Sequence, residues 1–334
     1  MTTGRDKLAR LGIELPMLPI TAVGSYGKPQ ELTKLRAKFT KGDITAAELH
    51  AKQEEATAMW MGFQNEIGVD VPVDGEMYRT DMVEYFAEEM DGFEASGWVR
   101  AYGNRYYRKP VVTGPVRWTR PVTVDWFRYA CAQTARPVKA ILTGPYTLMD
   151  WAFDEHYGSR ESLVLALADV VRQECEALVE SGAIYLQIDE PAISVRPDEI
   201  DLAIRAMHRV TDGLRARTIT HICYGDFAAI YPRLLDLPVE QFTLELSNSA
   251  LGLLDLFRSS PFTKELGAGV VDVHHHTVEP VEVVRGRIEA ALGVVPASRL
   301  WINPDCGLKT REPAEAEEKV GNMVAATREV RASL

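Results

Sequence analysis

Eight short apolar or alternating runs punctuate the chain, and most of them end in Gly, Ser, Asp, Glu or Pro. They are PITAVGS from Pro19, VDVPVDGE from Val69, KAILTGP from Lys139, IYLQIDEP from Ile184, TITHICYG from Thr218, FTLELSNS from Phe242, GVVDVHHH from Gly269 and LWINPDCG from Leu300. Between most of them lie longer stretches with helical spacing, such as SLVLALADVVRQECEALVESG from Ser162 and PDEIDLAIRAMHRVTDGLRA from Pro197. Strands that alternate with helices are joined by crossovers and pair in parallel, and eight such units argue for one α/β chain folded as a (β/α)8 TIM barrel over residues 1–334. A doubly wound open sheet is the alternative, but no glycine-rich fingerprint follows the first run. A ninth run, KPVVTGPV from Lys109, falls between residues 91 and 137, a region rich in aromatic and basic residues that reads as a long insertion after the second strand, near the barrel mouth.

Polar residues cluster where the runs end: Ser25, Glu76, Asp189, His221, Cys223, Glu245, His274 and Cys306. In a barrel the C-terminal ends of the strands converge on one face, where barrel enzymes place their chemistry. The length of 334 residues suits one such barrel, and the net charge of -11 argues against nucleic acid and anionic membranes as partners. The first twenty residues contain no continuous apolar run, and the longest apolar stretch, near Ser162–Val171, is about half the roughly 20 residues a membrane span needs. Four cysteines are too few for a disulfide scaffold, so reduced thiols in a cytoplasmic protein are expected.

His221 and Cys223 are one residue apart at a strand end, so both side chains face the same way. With Cys306 they make a nitrogen and sulfur set that suits zinc, and Glu245 offers a fourth ligand. The plainer alternative is that a strand cysteine is a small core residue, which is the better reading for Cys131 and Cys175 in their helical contexts. An electron-rich site of this kind activates water poorly but keeps a bound thiol ionised, so it points to thiol alkylation rather than hydrolysis. Glu76 and Asp189 serve acid–base chemistry, a salt bridge or the ammonium of an amino acid, and the last fits a thiol amino acid best. GSYG around Ser25 offers a hydroxyl and backbone N–H groups to a carboxylate, although most such strings are plain turns. Of the three consecutive histidines, strand alternation sends His274 and His276 one way and His275 the other; one catalytic histidine, His274, is preferred over a second metal tract.

The stretches DGEMYRTDMVEYFAEEMDGF, LTGPYTLMDWAF, QIDEPA, HICYGDF, GVVDVHHH and LWINPDCGLKTR closely resemble the catalytic C-terminal barrel of cobalamin-independent methionine synthases, in order from about Thr21 to the C-terminus. The resemblance implies zinc on His221, Cys223, Glu245 and Cys306, L-homocysteine held by Ser25, Glu76 and Asp189, a proton handled by His274, and L-methionine as product. Arg105 and Trp151 match donor-side positions. Two departures bear on the methyl donor. The N-terminal barrel of the full-length family, which helps bind the folate tail, is not expected here, and Ser194 stands where the family has an acid against the pterin. Both lean toward methylcobalamin or a methylcorrinoid protein as donor, with the family's 5-methyltetrahydrofolate reaction as the alternative. A corrinoid methyltransferase with another thiol acceptor, such as coenzyme M, and a non-catalytic zinc-binding protein are further alternatives.

Overall fold

The computed structural model describes residues 12–100 and 106–334. Its strands are β1 (Asp91–Arg100), β2 (Tyr106–Arg117), β3 (Lys139–Thr143), β4 (Phe153–Asp154), β5 (Tyr185–Asp189), β6 (Arg217–Ile222), β7 (Gln241–Glu245), β8 (Glu265–Val271) and β9 (Leu300–Pro304). They belong to two compact units, one built from Met1–Tyr78, Tyr129–Lys139 and Glu240–Leu334, the other from Arg79–Arg128 and Ala140–Val239. Every residue of β3 and of β5 through β9 is buried, as parallel strands covered on both faces must be.

In the first unit β7, β8 and β9 pair in parallel, from Gln241 opposite Glu265 to Val271 opposite Pro304. The first two apolar runs do not make full strands. They are reduced to isolated parallel bridges, Ile20 with Ile302 and Thr21 with Val71. Pro19 and Pro72 explain part of this, because neither has an N–H to extend a ladder. The Thr21 hydroxyl also donates to the Val71 carbonyl at 2.7 Å. Trp60 and Trp301 are among the largest fully buried side chains. Trp60 sits on the helix Ala46–Ile67, which opens with a capping box between Thr45 and Glu48.

In the second unit β5 and β6 pair in parallel, Tyr185 opposite Arg217 and Gln187 opposite Ile219, and β3 flanks β5. Strands β1 and β2 form an antiparallel ribbon, with β4 adding in parallel at Val111 and Val112. The ninth run is therefore a strand, but of this ribbon and not of the parallel sheet. Glu174, buried on the helix Arg160–Glu180, holds the segment that follows β2. Its carboxylate accepts from Trp118 Nε1 at 2.7 Å, Val122 N at 2.8 Å and Thr123 N at 2.7 Å. Among the described residues no helix is long and apolar enough to cross a membrane.

Candidate active site

The second unit carries five of the expected residues that the structure describes: Trp151, Asp189, Ser194, His221 and Cys223. His221 is the second-to-last residue of β6 and Cys223 lies just beyond the strand, 3% and 5% exposed. The backbone then turns through Tyr224 at φ 51° and Gly225 at φ 121°. Asp189 ends β5, and Gln187 Nε2 donates to its Oδ1 at 2.8 Å. The next residue, Glu190, was not singled out from sequence, yet it ties three elements together. Its N–H donates to the His221 carbonyl at 2.9 Å. Its buried carboxylate accepts from Tyr146 N at 2.9 Å and from Thr147 N and Oγ1 at 2.7 Å each, capping the short helix Pro145–Asp150 that leads into Trp151. Burial pushes the Glu190 carboxyl up to about 7, against the pull of the Thr147 and Tyr146 hydrogen bonds. The only sequence signal for it is the second acid in IDEP.

Ser194 is buried in the same unit, and its hydroxyl faces carbonyl oxygens of the chain: Pro191 at 2.9 Å, Cys223 at 3.1 Å, and Tyr224. It is packed under the turn that carries Cys223, and its neighbour Val195 is the exposed one. Arg105 lies outside the described residues.

The first unit carries the rest. Ser25 is buried against the turn that follows β9: its carbonyl accepts from Leu308 N at 2.7 Å, and a Cβ on Gly307 would fall 2.2 Å from its Oγ. Only glycine after Cys306 permits that approach. Tyr26 N donates to Gly75 O at 3.1 Å, which brings the DGE turn to the GSYG segment. Glu76 occupies the left-handed region at φ 59°, with its N–H on Asp74 Oδ1 at 3.0 Å. A non-glycine residue there costs about 1–2 kcal/mol, and such strain concentrates at functional sites.

Glu245 ends β7, 3% exposed, with Asn248 Nδ2 on its Oε2 at 2.9 Å and His274 Nε2 on its Oε1 at 3.1 Å. Burial pulls the His274 pKa down, but the hydrogen bond and charge of Glu245, with Cys306 and Asp272, outweigh it and leave it raised. The three histidines do not alternate. β8 ends at Val271, before them, so strand periodicity no longer applies. His275 and His276 both face outward, pairing with Asp272 and Glu315, while His274 alone turns to Glu245. Lys319 anchors this histidine segment: its Nζ donates to Asp272 O at 2.9 Å and pairs with Glu279 at 3.1 Å.

Asp305, beside Cys306, is fully buried and holds the segment after β7. It accepts from Leu246 N at 3.0 Å, Ser247 N at 3.1 Å and Asn248 N at 2.7 Å. Burial and the Glu245 charge push its carboxyl up to about 7 despite these bonds. Its partners lie nearly sixty positions away in sequence, which no local motif announces.

Residues 18–329 match the family model described as cobalamin-independent synthase, catalytic domain. The 5-methyltetrahydropteroyltriglutamate–homocysteine methyltransferase of Acidithiobacillus ferrooxidans is 40% identical over 98% of this chain, which spans 43% of that protein's length. The methionine synthase of Saccharolobus solfataricus is 38% identical over 96% of this chain and 97% of its own length. The solved B12-independent methionine synthase from Shewanella sp. W3-18-1, in complex with selenomethionine, superposes with a TM-score of 0.84 at 27% identity, over 95% of this chain and 98% of that one. The fold class shared with it is the (β/α)8 barrel read from the strand–helix alternation. The same findings overturn the lean toward methylcobalamin or a methylcorrinoid protein, because the matched family is cobalamin-independent. That lean rests partly on Ser194, whose hydroxyl is turned into the Cys223 turn. By its match from residue 18 to residue 329 and its likeness to relatives in two name groups, the chain belongs to the cobalamin-independent methionine synthase family.

Proposed function

We propose that this chain transfers a methyl group from a 5-methyltetrahydrofolate-type donor to the thiolate of L-homocysteine, forming L-methionine, with one zinc ion per chain. The observation that carries the reading is the donor set of one imidazole and two thiols. His221 and Cys223 lie side by side at the end of β6, 3% and 5% exposed, and Cys306 follows β9. This set fits zinc, and Glu245 would complete four ligands. When bound, zinc supplies a Lewis acid that keeps a thiol ionised near neutral pH.

The chain's own groups do the rest. Asp189 and Glu76 would hold the homocysteine ammonium, and Ser25 would hold its carboxylate. The homocysteine sulfur takes the methyl group, and the donor nitrogen keeps the bonding electron pair and needs a proton. His274, whose Nε2 lies 3.1 Å from Glu245 Oε1, would supply it. Trp151 and Arg105 would lie on the donor side. Two relatives support the reading by name, one as a 5-methyltetrahydropteroyltriglutamate–homocysteine methyltransferase and one as a methionine synthase.

The test is methionine formation from homocysteine with 5-methyltetrahydrofolate carrying one or three glutamates, alongside metal analysis. The expected result is about one zinc per chain and turnover that stops on chelation and returns with zinc. Cys306→Ser should lose both zinc and turnover while keeping its circular dichroism. Turnover unaffected by complete zinc removal would overturn the reading.

A further inference from the structure

We infer that Ser194 is a positioning residue for the thiol of Cys223, and that it acts on the acceptor side of the reaction rather than on the donor side; this rests on the zinc-dependent reading above. The turn Cys223–Gly225 leaves β6 through two consecutive residues with positive φ, 51° at Tyr224 and 121° at Gly225. Tyrosine has no intrinsic preference for that region, so the surroundings must hold it there. Ser194 is one neighbour that contributes to this. It is 3% exposed, and its hydroxyl reaches the carbonyls of Cys223 and Tyr224, the first in the peptide unit that leaves Cys223 and the second in the unit that follows it. The fit is close on the other side as well. A Cβ on Gly225 would lie 2.7 Å from both Cβ and Oγ of Ser194, so the turn and the serine are packed directly against each other.

The chemistry of the position follows. All the acceptors around Ser194 are carbonyl oxygens, of Pro191, Cys223 and Tyr224. A hydroxyl can donate to them, and a carboxylate can only repel them. The turn is therefore served here by a hydroxyl donor, a role that an ionised carboxylate in the same orientation would not fill. Groups that orient a metal ligand through a hydrogen bond typically contribute about 10–100-fold to metal affinity.

The experiment compares the full chain with Ser194→Ala, Ser194→Asp and Ser194→Thr. Zinc affinity is read by competition with a chromophoric chelator, folding by thermal unfolding, and steady-state kinetics with homocysteine and 5-methyltetrahydrofolate varied in turn. Ser194→Ala should bind zinc about 10–100-fold more weakly, lose kcat/KM for homocysteine in step, keep the parent's KM for the donor and unfold near the parent's temperature. Ser194→Asp should bind zinc more weakly still, and Ser194→Thr, which keeps the hydroxyl, should recover most of the affinity. Parent-level zinc affinity in Ser194→Ala, a change confined to the donor KM, or loss of cooperative unfolding in Ser194→Ala would each overturn the inference while leaving the zinc reading intact. A parent chain that binds no zinc would overturn both.

Discussion

The Nε2 atom of His274 lies 3.1 Å from Oε1 of Glu245, so a candidate proton donor and a candidate zinc ligand share one hydrogen bond. The pairing leaves His274 with a raised pKa despite its burial. His274→Asn keeps a side-chain donor for Glu245 but removes the transferable proton. Single-turnover methylation of homocysteine by 5-methyltetrahydrofolate should slow by about 10²–10⁴-fold, the usual range for losing a general acid, with zinc content unchanged. A loss smaller than tenfold (about 1.4 kcal/mol) would remove His274 from proton transfer.

Glu76 sets stability against function. At φ 59° its backbone is in a region that glycine adopts freely. Glu76→Gly should therefore recover about 1 kcal/mol of stability in denaturant unfolding and lose one carboxylate contact to the homocysteine ammonium. Weaker homocysteine binding together with a lower denaturation midpoint would show that Glu76 stabilises the fold and is not strained for substrate.

The candidate site residues are legible because they end apolar runs, and a parallel strand surrounds its last residue with fixed neighbours. His221, Cys223, Glu245 and Cys306 could be picked out that way. The supporting groups could not. Asp305 acts on the N–H groups of Leu246 to Asn248, and Glu190 acts on Tyr146 and Thr147, so each works through backbone far away in sequence. Strand alternation misplaces His276 because the period of two ends with β8 at Val271. The first two runs form only isolated bridges, because the stretches containing Pro19 and Pro72 are apolar enough for strands but lack donors for ladders.

Acid should loosen the histidine segment through Glu279. Burial raises its pKa, but Arg287, the Asp272 N–H and Lys319 outweigh burial and leave it below the ordinary value of 4.5. A carboxylate with a depressed folded pKa contributes stability above its unfolded value and loses it as the pH falls through the folded one. The parent should thus lose this contribution below about pH 4.5. Glu279→Gln should lower stability at neutral pH by about 3–5 kcal/mol, because Lys319 is left as an uncompensated buried charge, and should show a flatter acid limb. Unfolding curves of parent and variant that run parallel from pH 7 to pH 3 would exclude this role.

Gly269 tests the Asp305 clamp. A Cβ at this position would lie 2.4 Å from Asp305 Oδ1 and 2.8 Å from Leu244 O, and the second atom is backbone that cannot swing aside. Gly269→Ala should therefore destabilise the chain by about 1–3 kcal/mol, as overpacking does. The more telling effect is local. Asp305 must move off the N–H groups of Leu246, Ser247 and Asn248, and Asn248 is also a partner of Glu245. Zinc affinity should fall more in Gly269→Ala than in a variant equally destabilised elsewhere, such as Ile288→Val in the helix Val281–Leu292, where Ile288 is fully buried. Ile→Val truncations cost about 0.5–1.5 kcal/mol, so the comparison is made on samples brought to matched stability with denaturant. Equal zinc affinities at matched stability would mean that the Asp305 bonds hold the fold but do not position Glu245.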